Sequence, residues 1–227
     1  MAVRLAVFDL DGTLLAGSKT VMPVLAAMLW QARHKRAVGA WCYTVAGLVM
    51  VMRKLRLIGP ERFYMWMTLQ VVRWMAVSDP VVLDRVLDET ARRLLLEARL
   101  DVVAEVQARR AEGCRTVIVS AVIQPLLERI AHTLQCDAVG TRLATRSDGR
   151  LTGRFAGPYC SGQGKATALR EWADKLGDPV DWAGSFAYAD TMPDLPVLET
   201  VGNAIAVAPE SALRLEAQQR GWRVMEG

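Results

Sequence analysis

Leu5-Ala6-Val7-Phe8 is an apolar run without helical period that ends in Asp-Leu-Asp-Gly, the pattern of a fully buried strand running into a loop. From Met22 to about Ala98 the period changes and the chain reads as helix throughout, with Pro60 and Pro80 at first-turn positions and Asp79 as an N-cap. After Leu100 the two periods alternate. A helix closes on Gly113 as its C′ residue, RTVIVS (115–120) is a buried strand, a helix runs to about Leu134, and a short strand lies near Ala138 to Thr141. LATRSDGRLTGRF predicts a hairpin turning at Ser147-Asp148-Gly149. Then follow a helix over Lys165 to Leu176, a strand over Ser185 to Ala189, a short helix over Pro193 to Thr200, a strand over Asn203 to Val207 and a helix over Ser211 to Arg220. Strand and helix in alternation imply an α/β fold, a doubly wound, Rossmann-like parallel sheet with helices on both faces. The helical stretch is then an all-helical insertion after the first strand, which divides the chain into a core of residues 1–16 and 100–227 and an inserted domain of residues 17–99.

Composition narrows the classes. With 227 residues, 52% hydrophobic and 23% charged, the chain is neither a disordered tail, nor a collagen-like repeat, nor a small disulfide scaffold. Cys42, Cys114, Cys136 and Cys160 are widely spaced and form no C-x-x-C pair, so they read as buried or idle thiols in a reducing compartment. Two carboxylates within the first eleven residues rule out a secretory apolar segment there, and a cytoplasmic location is expected. Seven of the ten methionines and Trp30, Trp41, Trp66 and Trp74 fall in the helical stretch. Core packing is the reading for most of them, with a groove for an apolar ligand as the minority alternative.

The net charge of +4 conceals an asymmetry, because no acidic residue occurs between Asp11 and Glu61. That gap holds Lys19, Arg33, Lys35, Arg36, Arg53, Lys54 and Arg56, in two clusters bracketing the uncharged stretch 37–52. As a helix, sixteen residues rise about 24 Å, short of a hydrocarbon core of about 30 Å. Basic clusters at both ends also oppose spanning. Residues 33–56 therefore read either as peripheral on an anionic membrane face or as a buried helix with solvated ends. The clusters surround an apolar helix without basic and aromatic interleaving, so no nucleic-acid partner is expected.

In a doubly wound sheet, ligands sit beyond the carboxyl ends of the strands. Those ends carry Asp9 and Asp11, Ser120, and Asp190 with Asp194 four residues on; Lys165 opens a helix after the Ser-Gly-Gln-Gly turn. If the strand extends through Asp9 and Asp11, its period of two puts both carboxylates on one side. Bringing Asp190 alongside requires a cation, and an all-oxygen set suits Mg²⁺. Lys165, the Ser120 hydroxyl and backbone N–H groups such as that of Ala121 are donors fitted to phosphate oxygens.

FDLDGTL (8–14), VIVS (117–120), Lys165 and ADTMPDLPVL (189–198) together resemble the four motifs of the haloacid dehalogenase-like phosphohydrolases, and the inserted helices match the cap position of their phosphoserine-phosphatase-like branch. The resemblance implies a phosphatase with Asp9 as the nucleophile forming an aspartyl-phosphate and Asp11 as the general acid and base. It also implies Ser120, Ala121 and Lys165 on the phosphoryl oxygens, Mg²⁺ held by Asp9, Asp11 (through its carbonyl) and Asp190, and Asp194 in support. Ala189 in place of a common Gly, and Thr191-Met192 in place of small polar residues, depart from the pattern.

Phosphoserine phosphatases carry a glutamate a few residues after the D-x-D pair; here Ala16-Gly17-Ser18-Lys19 stands in that stretch. A basic wall beside an apolar segment favours a lipid-type phosphate, phosphatidylglycerophosphate- or lysophosphatidate-like. The alternatives are a soluble phosphatase of phosphoserine or histidinol phosphate, and a non-catalytic phospho-ligand-binding protein.

Overall fold

The structure, a computed structural model, describes residues 2–17, 21–32 and 35–226. Ser18, Lys19, Arg33 and His34, which belong to the charge readings above, lie outside the described residues.

Six strands form the sheet: β1 (Leu5–Phe8), β2 (Arg115–Ile123), β3 (Asp137–Thr141), β6 (Phe186–Ala189), β7 (Asn203–Val207) and β8 (Arg223–Met225). β4 (Leu143–Thr145) and β5 (Leu151–Phe155) make the separate antiparallel hairpin. The sheet order is β3-β2-β1-β6-β7-β8 with every pairing parallel, so β1 is central and the chain winds outward from it in both directions. Apolar residues fill consecutive positions because both faces are covered. Ala6, Phe8, Ile118, Tyr188 and Ile205 meet α5 (Leu100–Ala111) and α6 (Gln124–Thr133) on one face. Leu5, Val7, Val117, Val119, Ala187 and Ala206 meet α7 (Gln163–Ala173), α8 (Leu195–Leu198) and α9 (Ser211–Arg220) on the other.

Among the described residues, four helices lie between β1 and α5: α1 (Val21–Gln31), α2 (Arg36–Lys54), α3 (Pro60–Ala76) and α4 (Pro80–Leu95). Pro60 and Pro80 do open their helices, and the Asp79 side chain accepts from the N–H groups of Val81 and Val82. The chain leaves and re-enters the sheet side by side: Leu15 bridges Ala98, Ala16 N–H donates to the Glu97 carbonyl at 2.9 Å, and Arg99 N–H donates to the Leu14 carbonyl at 2.9 Å. Arg129 of α6 pairs with Asp84 and Asp88 of α4, while Gly153 of β5 packs on the backbone of Arg73 in α3.

Two expectations change. Of the four tryptophans in the helical block only Trp74 is buried; Trp30, Trp41 and Trp66 are exposed. Core packing therefore does not explain this set. The segment 37–52 is helical as read, but packs only one side and leaves the other bare. Among the described residues no helix is long and apolar enough to cross a membrane.

Candidate active site

β1 stops at Phe8 instead of carrying an extended backbone through Asp11. Gly12 N–H donates to the Leu15 carbonyl at 3.0 Å and Leu15 N–H to the Leu10 carbonyl at 2.9 Å, folding the strand exit into a tight loop. Gly12 makes that loop at φ +89°, a region costly for any residue with a Cβ. The extended-strand argument for the two acids thus fails, yet Asp9 and Asp11 line one cavity, brought there by the loop.

Ser120 is not at a strand end. β2 continues through it to Ile123, and three residues of β2 between Val119 and Ile123 stand against one of β3 between Val139 and Thr141. Such a bulge bends a strand and re-aims its side chains. Within that irregular stretch Ser120 is buried, accepts from Val122 N–H at 3.2 Å, and lines the cavity with Ala121 and Val122. Asp190 follows β6, aligned with β1 by the pairing of Phe8 with Tyr188. Lys165 lies in the first turn of α7 behind Gly162, whose φ of +53° and ψ of −130° only glycine adopts readily.

These elements converge on buried charge. Lys165 Nζ donates to Asp9 Oδ1 at 2.5 Å and also to Asp194 Oδ1. Asp194 accepts from Thr191 Oγ1 at 2.8 Å through its other oxygen, and Asp190 Oδ1 accepts from Thr13 Oγ1 at 3.3 Å. Oxygens of Asp9, Asp190 and Asp194 lie within 4.8 Å of one another. Burial, reinforced by the Asp194 charge, raises Asp9 to about 7 even against Lys165; burial and Asp194 likewise raise Asp190 to about 6. Burial alone would lower Lys165, but Asp194 and Asp9 outweigh it and hold the ammonium charged. One cation among three buried carboxylates leaves an excess of negative charge, and the all-oxygen donor set fits a hard divalent ion.

The structure places Asp9, Asp11, Ser120, Ala121, Lys165, Asp190 and Asp194, the residues singled out in the sequence, on the lining of one cavity. The side-chain oxygens that lie together are those of Asp9, Asp190 and Asp194, and Asp194 also accepts from Lys165. Thr13 and Thr191 were missed. Thr191, read as a departure from a pattern, is the donor that orients Asp194.

The cavity has a volume of about 1040 Å³ and runs from this cluster into the helical block. Its walls include Tyr43, Met50, Phe63, Tyr64, Met67 and Trp74, so part of the Met- and aromatic-rich stretch faces a groove, while Trp30, Trp41 and Trp66 do not line it. Thr68 and Tyr159 hydroxyls meet across it at 3.3 Å. Of the basic residues at the ends of α2, Arg53 alone among the described residues lines the cavity, joined by Glu61 of α3.

The family model of the haloacid dehalogenase-like hydrolases matches residues 6–199. A probable phosphatase of Mycobacterium tuberculosis is 33% identical over 97% of this chain and 74% of its own. A histidinol-phosphatase of Neisseria meningitidis is 33% identical over 53% of this chain and 55% of its own. A phosphoserine phosphatase of Mycobacterium tuberculosis is 31% identical over 66% and 44%. Among solved structures, a protein of unknown function from Bordetella pertussis superposes with a TM-score of 0.82 at 27% identity, covering 99% of both chains.

Proposed function

Because this chain belongs to the haloacid dehalogenase-like hydrolases, in their phosphoserine-phosphatase-like branch, and is a phosphatase, we propose that it hydrolyses a small, amine-bearing phosphomonoester through an aspartyl-phosphate on Asp9. The observation that carries this reading is the Lys165 ammonium held between Asp9 and Asp194 beyond the carboxyl end of β1, in a cavity that the buried Ser120 also lines.

Lys165 fixes one Asp9 oxygen and neutralises charge that would repel a phosphate. The Asp9 carboxylate oxygen forms a bond to phosphorus as the bond to the leaving oxygen breaks, and Asp11 delivers a proton to that oxygen. Asp11 then takes a proton from water, whose oxygen attacks phosphorus; phosphate leaves and the Asp9 carboxylate is restored. Ser120 and the N–H of Ala121 donate to the phosphoryl oxygens together with Lys165. Mg²⁺, with Asp9, Asp190 and the Asp11 carbonyl as ligands and Asp194 in support, would supply further charge neutralisation at the phosphoryl group. Residues 17–99 form the cap that walls the leaving-group side.

On substrate, the lipid-phosphate expectation gives way to its alternative. It rested on a basic wall, whereas the described basic residues at the α2 ends, apart from Arg53, do not line the cavity. Glu61 does line it and offers an ammonium a partner. The relatives named for histidinol phosphate and phosphoserine support this class, although each matches about two thirds of the chain or less. Between them, the ring-lined wall favours the imidazole-bearing leaving group.

The test is Mg²⁺-dependent phosphate release from histidinol phosphate, phosphoserine, lysophosphatidate and phosphatidylglycerophosphate. Histidinol phosphate is expected to be turned over fastest, with Asp9→Asn silent on all four. Preference for the lipids would overturn the substrate class, and wild-type rates in Asp9→Asn would overturn the mechanism.

A further inference from the structure

α2 has two unlike sides. Gly39, Cys42, Ala46 and Val49 are buried, and Gly39 lies so close to Trp74 that a Cβ there would meet its ring at 2.7 Å. On the opposite side Ala37, Trp41, Thr44, Leu48, Val51 and Leu55 recur at alternating spacings of four and three residues, the period of a single straight stripe on a helix. All six are exposed, Trp41 to 65%, Leu48 to 63% and Leu55 to 63%, and Leu57 just beyond is bare as well. The stripe is separate from the wall that α2 gives to the cavity, which is made by Cys42, Tyr43, Ala46, Gly47, Met50 and Arg53.

Charge decides what covers this face. Lys35 and Arg36 stand at one end and Lys54 and Arg56 at the other, all exposed, with Arg33 and His34 adjoining in sequence. No acidic residue occurs from 12 to 60. A second copy packed along the stripe, parallel or antiparallel, sets basic ends against basic ends with no carboxylate on either helix to neutralise them. An anionic phospholipid surface neutralises both ends at once and takes up the apolar stripe, with Trp41 at headgroup depth and the long basic side chains reaching back to the phosphates. The helix is not of a length and apolarity to cross, which leaves it lying in the plane.

We propose that the outer stripe of α2 docks this protein on an anionic membrane surface, with the basic ends of the helix on the lipid headgroups. The inference is independent of which phosphomonoester is hydrolysed.

The test is co-sedimentation of the full chain with vesicles of phosphatidylcholine alone and of phosphatidylcholine with phosphatidylglycerol. Binding is expected only to the second, weakening as salt rises. Arg36→Gln and Lys54→Gln should each lower partitioning about fivefold, the equivalent of about 1 kcal/mol for a basic residue at an anionic leaflet. Leu48→Ser, at an exposed position away from the cavity, should abolish binding while leaving phosphate release from a soluble substrate at the wild-type rate, which shows the fold intact. Failure to bind either vesicle, equal binding to both, or a solution dimer that Leu48→Ser dissociates would overturn the proposal, the last by assigning the stripe to a second copy.

Discussion

Gly12 shows how closely single atoms are set in this site. A Cβ at that position would lie 2.0 Å from Asp190 Oδ2, inside any permissible contact, and the φ of +89° is itself unfavourable for alanine. Gly12→Ala must therefore push Asp190 away from Asp9 or open the loop that carries Asp11. A displacement of about 1 Å among reacting groups costs about a hundredfold in rate. Gly12→Ala is expected to lower kcat by at least that factor with the far-ultraviolet circular dichroism unchanged, as steady-state phosphate release and a spectrum will check. At this scale the sequence was informative where residues are adjacent in the chain, as in Asp9-Leu10-Asp11-Gly12. It was uninformative where a contact depends on loop geometry: nothing in Thr191 alone says that its hydroxyl reaches Asp194, and the irregular stretch of β2 that holds Ser120 leaves no periodic trace.

Among the elements, helix starts were the most legible, because a cap is a local event. Asp79 accepts from two N–H groups that α4 itself cannot satisfy, so Asp79→Ala is expected to cost about 1 kcal/mol in urea unfolding. β8 went unread: three residues on a sheet edge are too few to display a period, and only pairing with β7 defines them. Glu105 links α5, β6 and β8. Tyr188 Oη donates to its Oε2 at 2.7 Å, Arg223 Nη2 donates to its Oε1 at 2.9 Å, and Arg109 Nε donates to Tyr188 Oη at 2.8 Å. Burial pushes Glu105 up, but the hydrogen bonds from Tyr188 and Arg223 outweigh it and hold the carboxyl below its ordinary 4.5. A depressed carboxyl adds stability above its unfolded value and loses it as pH falls through its folded value. Wild type should therefore exceed Glu105→Gln by about 1 kcal/mol at neutral pH, and the gap should close below the ordinary carboxyl range. Urea midpoints measured from neutral pH down into acid will show it.

For the molecule as a whole, the sheet was legible and the arrangement of the inserted helices was not. The strands carry uninterrupted apolar runs because helices cover both sides, and that signal survives in any reading of the chain. Which side of α2 meets α3, and that three tryptophans stay at the surface, depends on how the four helices pack, which periodicity in one helix does not specify. The pairing of Leu15 with Ala98 has a consequence beyond the site. Seen from the sheet, everything between those residues is a loop whose ends are already closed, and doubling the length of a closed flexible loop costs only about 0.6 kcal/mol. Added chain at this neck therefore costs the sheet little closure entropy, and what ties the insert to the sheet is its packing, such as Arg129 on Asp84 and Asp88 and Gly153 on Arg73, so an exchanged insert keeps the fold only if it supplies equivalent contacts.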